Sequence, residues 1–429
     1  MHINNVGVDP LTKLPTGEYF KSEAGRIIKH EMKSPVIMSL DVSNFKYFNQ
    51  VYGYAEGDRL IERCAYSYCH MNADCVLAYR IYVDHIILLI EAGNRDPEEL
   101  KNRYNEFNNN FSDEINSEYP QARIRMYMGA YFVEDADEDV ASMIDKAQFA
   151  RRSIKTNYSV NIVFFTQEME NRIRQEAGVI PMFFSALENG RIEVYIQPKF
   201  SIDEQTLVGA EALSRIIDTE GNVIPPKDYI DTLEKTGLIS RLDNYVIQRV
   251  AEYQKNWMDK GLKLIPISMN LSHMDFWEPG FIYKMDEAIS KTGVPACFFE
   301  FELTETLFCE NISTVTSQIE FLKSRGYRIS MDDFGTGYNS LYMLGMFPLD
   351  VIKFDRGFVE NSLTVPAGQK ILKSLMNTFK DVEFEVICEG VESQEEERIV
   401  RECGCNCVQG FLYDRPLPCT VFENKYMIR

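Results

Sequence analysis

The first part of the chain sets short apolar runs between stretches of helical rhythm. Val36 to Val42 (VIMSLDV) is an apolar run of strand length, and Gly57 to His70 reads as a helix. Ala78 to Glu91 reads as a hairpin and Arg123 to Val133 as a further strand. Ala141 to Thr156 is helical, and Asn161 to Phe165 is a last short strand. Strands interleaved with helices predict an α+β or α/β domain built on a single sheet. Residues 166–190 carry charges at helical spacing, with Pro181 interrupting the pattern and Gly190 ending it. This predicts a connecting helix followed by the opening helix of a second domain.

From there the rhythm becomes regular. Strand-like runs stand at Ile192–Gln197, Leu207–Leu213, Leu264–Leu271, Phe298–Leu303, Arg328–Met331, Val351–Phe354, Glu385–Cys388 and Asn406–Val408. Helical patterns separate most of them. Roughly eight strands alternating with helices over ~250 residues predict a (β/α)₈ barrel. The short link from Phe200 to Thr206 predicts a hairpin between the first two strands, and so one antiparallel strand.

Composition narrows the partners. The 429 residues suit two or three domains. A net charge of −20 repels duplex nucleic acid but leaves room for a small anionic ligand held through divalent cations. No stretch reaches the ~18 apolar residues that span a bilayer. MHINNVGVDP lacks the features of a secretory signal, so the ten Cys read as reduced thiols of a cytoplasmic protein. In CGCNC, Cys403, Cys405 and Cys407 lie two apart, the spacing of one face of a strand. With no second pair nearby, they read as small buried side chains and not as a zinc site.

In such a barrel the chemistry sits where the strands end. Those ends carry Glu211 and Arg215, Asn270 and Ser272, Glu302 and Glu305, Asp332 and Asp333, Lys353 and Asp355, then Glu389 and Glu392, with Gln409 after the last strand. One acidic strand end is commonplace. Six in succession bearing carboxylate, amide or ammonium groups converge, and converging carboxylates repel unless something positive lies between them. An all-oxygen set suits hard ions such as Mg²⁺ or Mn²⁺. Lys353 could orient or deprotonate an attacking water, or stabilise an anionic phosphorane. Two metals, an activated water and an in-line displacement define phosphodiester hydrolysis.

These segments, EALSR, MNLS, ELTE, DDFGTGYNSL, IKFDR, CEGVE and VQG, resemble in order the signature of EAL-domain cyclic-di-GMP phosphodiesterases, over about residues 180 to 429. The resemblance implies a modified TIM barrel with one antiparallel strand, which opens cyclic-di-GMP to linear pGpG with Mg²⁺ or Mn²⁺ at a two-metal site. It implies that Glu211, Asn270, Glu302, Asp332, Asp333 and Glu389 hold metal, and that Lys353 meets the water and metal site. Glu305 would anchor the DDFGTGYNS loop, Arg215 would contact a substrate phosphate, and Gln197, Glu392 and Gln409 would complete the substrate side. Ser214 departs from the common EALLRW pattern, away from any metal ligand. Pairing of barrels into a homodimer is also implied. A receptor that binds the dinucleotide without turnover is the other reading.

The first part, DPLTKLPTGEYF followed by LDVSNFKYFNQVYGYAEGDRLI, resembles GGDEF diguanylate cyclase domains, nucleotidyl-cyclase-like in fold. The resemblance implies that Asp41 is a metal carboxylate, that Lys46 faces phosphate, and that Asn49 and Asp58 read guanine. The signature turn has become Tyr82-Val83-Asp84-His85-Ile86. Asp84 keeps the metal-ligating acidic position, but Tyr and Val stand where two Gly belong, and a β-branched residue resists positive φ. Ala73 and Val76 stand where an inhibitory Arg-x-x-Asp site would lie. An inactive cyclase is expected, either a GTP-binding regulator or a dimerising or spacing module. The expected organisation is a GGDEF-like domain over 1–166, a linker helix over 167–180 and the barrel over 181–429.

Overall fold

The computed structural model describes residues 7–154, 161–304, 307, 312–336 and 344–428. The chain forms two compact units that divide between Arg174 and Gln175. No helix among the described residues is long and apolar enough to cross a membrane.

The first unit is one sheet of β1 (Pro35–Val42), β2 (Cys75–Tyr82), β3 (His85–Glu91), β4 (Met126–Phe132) and β5 (Ile162–Phe164). Their order is β2-β3-β1-β4-β5. Every residue of β1 is buried, and it pairs antiparallel with β3 and β4 on either side. Helices α1 (Gly17–His30), α2 (Phe45–Tyr52), α3 (Tyr54–Ala65), α4 (Pro97–Glu118) and α5 (Val140–Arg152) cover both faces. Phe20 and Ile27 of α1 and Met143, Ile144 and Ala147 of α5 pack with Ile37, Ile87 and Leu89. Phe48, Ile61, Leu100 and Phe111 pack with Val36, Met38, Ile86 and Leu88 on the other side. A central strand covered on both faces is apolar at most positions, which is why Ile86–Ile90 shows no alternation. The expected helix over Gly57–His70 starts earlier, at Tyr54, and its last turn, Tyr66–His70, loosens to π geometry.

Helix α6 (Gln167–Glu188) is continuous, so the break expected at Pro181 does not occur. An interior proline costs about 3 kcal/mol in helix bonding and sterics. Val179, Phe183 and Ala186 are buried on one side of the helix and hold it through that point. Gly190, at φ 64°, follows its end.

The second unit is a closed barrel of β6 (Ile192–Ser201), β7 (Thr206–Ile217), β9 (Ile267–Leu271), β10 (Phe299–Thr304), β11 (Arg328–Phe334), β12 (Val351–Phe354), β13 (Glu385–Glu389) and β14 (Cys407–Gln409). Two-residue strands β8 (Val223–Ile224) and β15 (Leu417–Pro418) extend its edges. From β7 to β14 neighbouring barrel strands are parallel, and β6 runs antiparallel to both β7 and β14. The strand pattern has period two. Phe299, Phe301 and Leu303 belong to the apolar core, while Glu300 and Glu302 between them are buried carboxylates. Ile267, Met269 and Leu271 alternate in the same way with Ser268 and Asn270.

Cys403, Cys405 and Cys407 are buried free thiols, but they do not share a strand face. Cys403 caps the helix Gln394–Glu402, and only Cys407 lies in β14. A helix end and a turn fall where period two had suggested extended chain.

Candidate active site

The parallel register aligns the strand ends. Glu302 sits beside Asn270 of β9 and Ser330 of β11, and Glu211 faces Gln197 across the antiparallel pair. Lys353, fully buried on β12, projects into the middle. Its Nζ lies 2.6 Å from Glu389 Oε1, 2.7 Å from Glu302 Oε2, 3.1 Å from Asp332 Oδ1 and 3.6 Å from Glu211 Oε2. Burial works against the ammonium, but these carboxylates outweigh it and hold its pKa well above the usual lysine value. Lys353 is therefore a fixed cation and donor, not a proton acceptor.

A second ammonium lies beside the first. Lys199 of β6 donates to Ser268 Oγ at 2.7 Å, Glu302 Oε1 at 3.0 Å and Glu300 Oε1 at 3.2 Å. Each oxygen of Glu302 thus meets a different lysine. Burial would raise the Glu302 pKa, but Lys353 and Lys199 overcome it and hold the carboxyl at about 2. Its neighbours lack that compensation. Burial, with the charge of Glu302, lifts Glu211 to about 7. Burial lifts Glu389 to about 8, against Lys353 and with Asp332 and Glu211 adding repulsion. Asp333 rises to about 6 through burial and the charges of Asp332 and Asp355, and Asp332 is raised chiefly by burial.

Asp332 and Asp333 sit at a shift in the β11–β12 register between Met331 and Phe334. Asp333 has φ 56°, a left-handed conformation that Asp tolerates better than most residues. The bulge lets two consecutive carboxylates bear on the same site. Asn270 Nδ2 donates to Glu211 Oε1 at 3.4 Å. Gln409 Nε2 donates to Gln197 Oε1 at 3.1 Å and also to Glu211 Oε2, while Gln409 Oε1 is buried with no hydrogen-bond partner. Among the described residues, Glu211, Glu302, Asp332, Asp333 and Glu389 face Lys353 and Lys199 as fully buried cations, with the partly buried Arg215 near Glu211. Excess carboxylate, raised pKa values and all-oxygen donors fit a divalent ion such as Mg²⁺ or Mn²⁺.

The first unit carries a cavity of about 930 Å³ lined by Asp41, Lys46, Asn49, Asp84, Arg123 and Arg125 among others. His85 Nδ1 lies 3.0 Å from Asp84 Oδ1, and His85 Nε2 lies 3.7 Å from Asp41 Oδ2. Burial opposes ionised Asp84, but the His85 contact prevails and lowers its pKa. The Tyr82 ring stacks on His85 with centroids 4.5 Å apart. Val83 adopts φ 42°, and Arg80 clamps the turn by donating Nε and Nη2 to Val83 O at 2.8 and 2.6 Å. Asn49 packs against Gly57, where a Cβ would come within 1.8 Å of its Oδ1. Asp58 is exposed on α3 and is not among the residues lining the cavity.

A family model described as "EAL domain" matches residues 182–416, more than half of the chain. The chain belongs to the EAL domain family. A second model, "Diguanylate cyclase, GGDEF domain", matches residues 6–159, giving a GGDEF–EAL tandem. Cyclic di-GMP phosphodiesterase PdeR of Escherichia coli is 29% identical over 424 residues, covering 97% of this chain and 63% of PdeR. Signaling protein YkoW of Bacillus subtilis is 27% identical over 418 residues, covering 97% of this chain and 52% of YkoW. The chain thus spans about half to just under two thirds of these relatives. The c-di-GMP complex of the PaMucR phosphodiesterase superposes with a TM-score of 0.54 at 28% identity, over 57% of this chain and 99% of that one. The S helix–GGDEF–EAL structure of Vibrio cholerae LapD shares the fold with a TM-score of 0.58 at 19% identity, over 95% of this chain and 96% of that one.

In the EAL barrel, Glu211, Asn270, Glu302, Asp332, Asp333, Lys353, Glu389, Gln197 and Gln409 form one neighbourhood. Arg215 lies on β7 four residues beyond Glu211, so it shares that residue's face. Its guanidinium sits 5.5 Å from the Tyr195 ring centroid and donates to Ser214 O at 2.7 Å. Glu392 is exposed and ion-paired with Arg356 at 2.7 Å. Glu305 and residues 337–343, which include the end of the DDFGTGYNS segment, lie outside the described residues. Two residues escaped the sequence reading. Lys199 was signalled by period two on β6, two residues after Gln197. Arg151 was signalled by helical spacing, four residues after buried Ala147 on α5.

Proposed function

We propose that the EAL barrel, residues 181–429, hydrolyses cyclic-di-GMP to linear pGpG with Mg²⁺ or Mn²⁺. The observation that supports this is the ring of buried carboxylates around Lys353, more negative than a receptor pocket for an anionic dinucleotide would need. Glu211, Asn270, Glu302, Asp332, Asp333 and Glu389 would hold the ions. What such ions supply is a water of lowered pKa and neutralisation of charge on the phosphodiester. Lys353 keeps the carboxylates together and offers N–H donors to the attacking water. Asp333, partly exposed on the bulge beside Asp332, would accept that water's proton. Arg215 would take a substrate phosphate, and Gln197, Gln409 and Glu392 would line the substrate side. Pairing of two copies through the barrels is carried over from the resemblance, and sedimentation at several concentrations tests it.

The GGDEF-like domain is proposed to make no cyclic-di-GMP. Tyr82 and Val83 fill the turn where two Gly would admit a nucleotide, so incubation with GTP and Mg²⁺ should yield no product. The barrel is tested by chromatography of cyclic-di-GMP incubated with the full chain and Mn²⁺ or Mg²⁺, with Glu211→Ala as control. The expected result is pGpG from the unaltered chain only. Binding of the dinucleotide without pGpG would replace the enzyme with a receptor.

A further inference from the structure

The GGDEF-like domain holds a charge cluster that the barrel chemistry leaves unused. Asp41, Asp84 and His85 place three potential metal-ligand atoms within 4.8 Å of one another. Asp41 and Asp84 are the positions whose resemblance implies a metal. A fourth group changes that reading. Arg151 of α5 is 5% exposed in its side chain, and its Nη1 donates directly to Asp41 Oδ2. His85 Nε2 approaches the same oxygen at 3.7 Å. The oxygen that would bind an ion already faces a guanidinium on one side and an imidazole on another.

The backbone explains why Arg151 reaches so far into the sheet. Gly129 of β4 pairs with Ser39 of β1, two residues before Asp41. A Cβ on Gly129 would lie 2.1 Å from Ala147 O and 2.2 Å from Arg151 N. With no side chain at Gly129, α5 sits directly on the sheet and delivers Arg151 beside Asp41. The Nε of Arg151 is buried with no hydrogen-bond partner, so the side chain is not held there by a hydrogen bond through that atom. Its place is set by the helix contact and by Asp41.

We propose that Arg151 is a built-in replacement for a divalent cation, and that it closes the Asp41–Asp84–His85 cluster to metal. The residues present do not fit an ion while Arg151 stays in place, because Asp41 and Asp84 already face a guanidinium and an imidazole and lack the excess of carboxylates that surrounds Lys353 in the barrel. Without Arg151, two carboxylates and an imidazole remain. That donor set suits Mn²⁺ or another first-row ion better than Mg²⁺. The inference deepens the reading of this domain as a non-cyclase. The two fail separately, since one is read by metal count and the other by product from GTP.

The test is Mn²⁺ stoichiometry, by electron paramagnetic resonance titration of the full chain. The barrel supplies a constant background in every variant. Unaltered protein and Asp84→Asn should bind equal numbers of Mn²⁺. Arg151→Ala should bind one more, and Arg151→Ala with Asp84→Asn should return to the original number. A lower count in Asp84→Asn alone would overturn the proposal, because it would place an ion in the cluster with Arg151 present. A folded Arg151→Ala with no extra ion would overturn it as well. If circular dichroism shows Arg151→Ala unfolded, equal counts in unaltered and Asp84→Asn protein support the proposal and unequal counts overturn it.

Discussion

Metal binding by the EAL barrel should release protons, in an amount fixed by the buried carboxyls. Without an ion, Glu211 titrates at about 7, Glu389 at about 8 and Asp333 at about 6. At pH 6.5 they are about three-quarters, nearly fully and about one-quarter protonated, roughly two protons in all. An ion needs them ionised, so it should displace about that number. At pH 8.5 the same groups hold only about a quarter of a proton. The sign for stability follows. Raised carboxyl pKa values mean that the folded, ion-free protein binds more protons than the unfolded chain. Their stabilising contribution is present below about pH 4.5 and is lost as pH rises through 6 to 8. The thermal upshift given by Mn²⁺ should therefore grow from pH 6.5 to pH 8.5. Calorimetric titration with Mn²⁺ in buffers of different ionisation enthalpy counts the protons directly. Glu389→Gln should lower the count at pH 6.5 by about one. A count near zero at pH 6.5, or one that does not change by pH 8.5, would refute the reasoning.

Two further outcomes are expected. Lys353→Met removes the fixed donor at the centre of the cluster and should lower kcat by about 10²- to 10³-fold, the range for losing one preorganised electrostatic donor. Steady-state kinetics with unchanged kcat would deny Lys353 its place in the chemistry. Val83→Gly relieves a β-branched residue at φ 42° and should stabilise the hairpin of β2 and β3 by about 0.5–1 kcal/mol, after the extra chain entropy of glycine. Both Trp, Trp257 and Trp277, lie in the barrel, so the readout is hydrogen exchange of the hairpin amides. Faster exchange in the variant would show that the turn is not strained.

Strand existence and the polar strand ends were legible because they are local. A buried strand repeats every two residues, and it stops where polar side chains begin. Glu211, Asn270, Glu302, Asp332, Lys353 and Glu389 could therefore be picked out from one dimension and an expected barrel. The apolar run Ile86–Ile90 could be read as a strand, but that it is covered on both faces is visible only in the sheet. Pro181 misled because helix propensity is local, while the burial of Val179, Phe183 and Ala186 that overrides it is not.

Charge pairing belongs to the tertiary structure alone. Lys199 meets Glu302 across 103 residues, and Arg151 meets Asp41 across 110. Nothing in the neighbouring sequence states those partners. The sequence by itself determined which residues could carry metal chemistry and where the strands that hold them would end. Only the folded chain decided which carboxylates meet a lysine, which keep an excess of negative charge, and which one is already occupied by an arginine. Electrostatic energy depends on distance in space, and distance along the chain does not fix it.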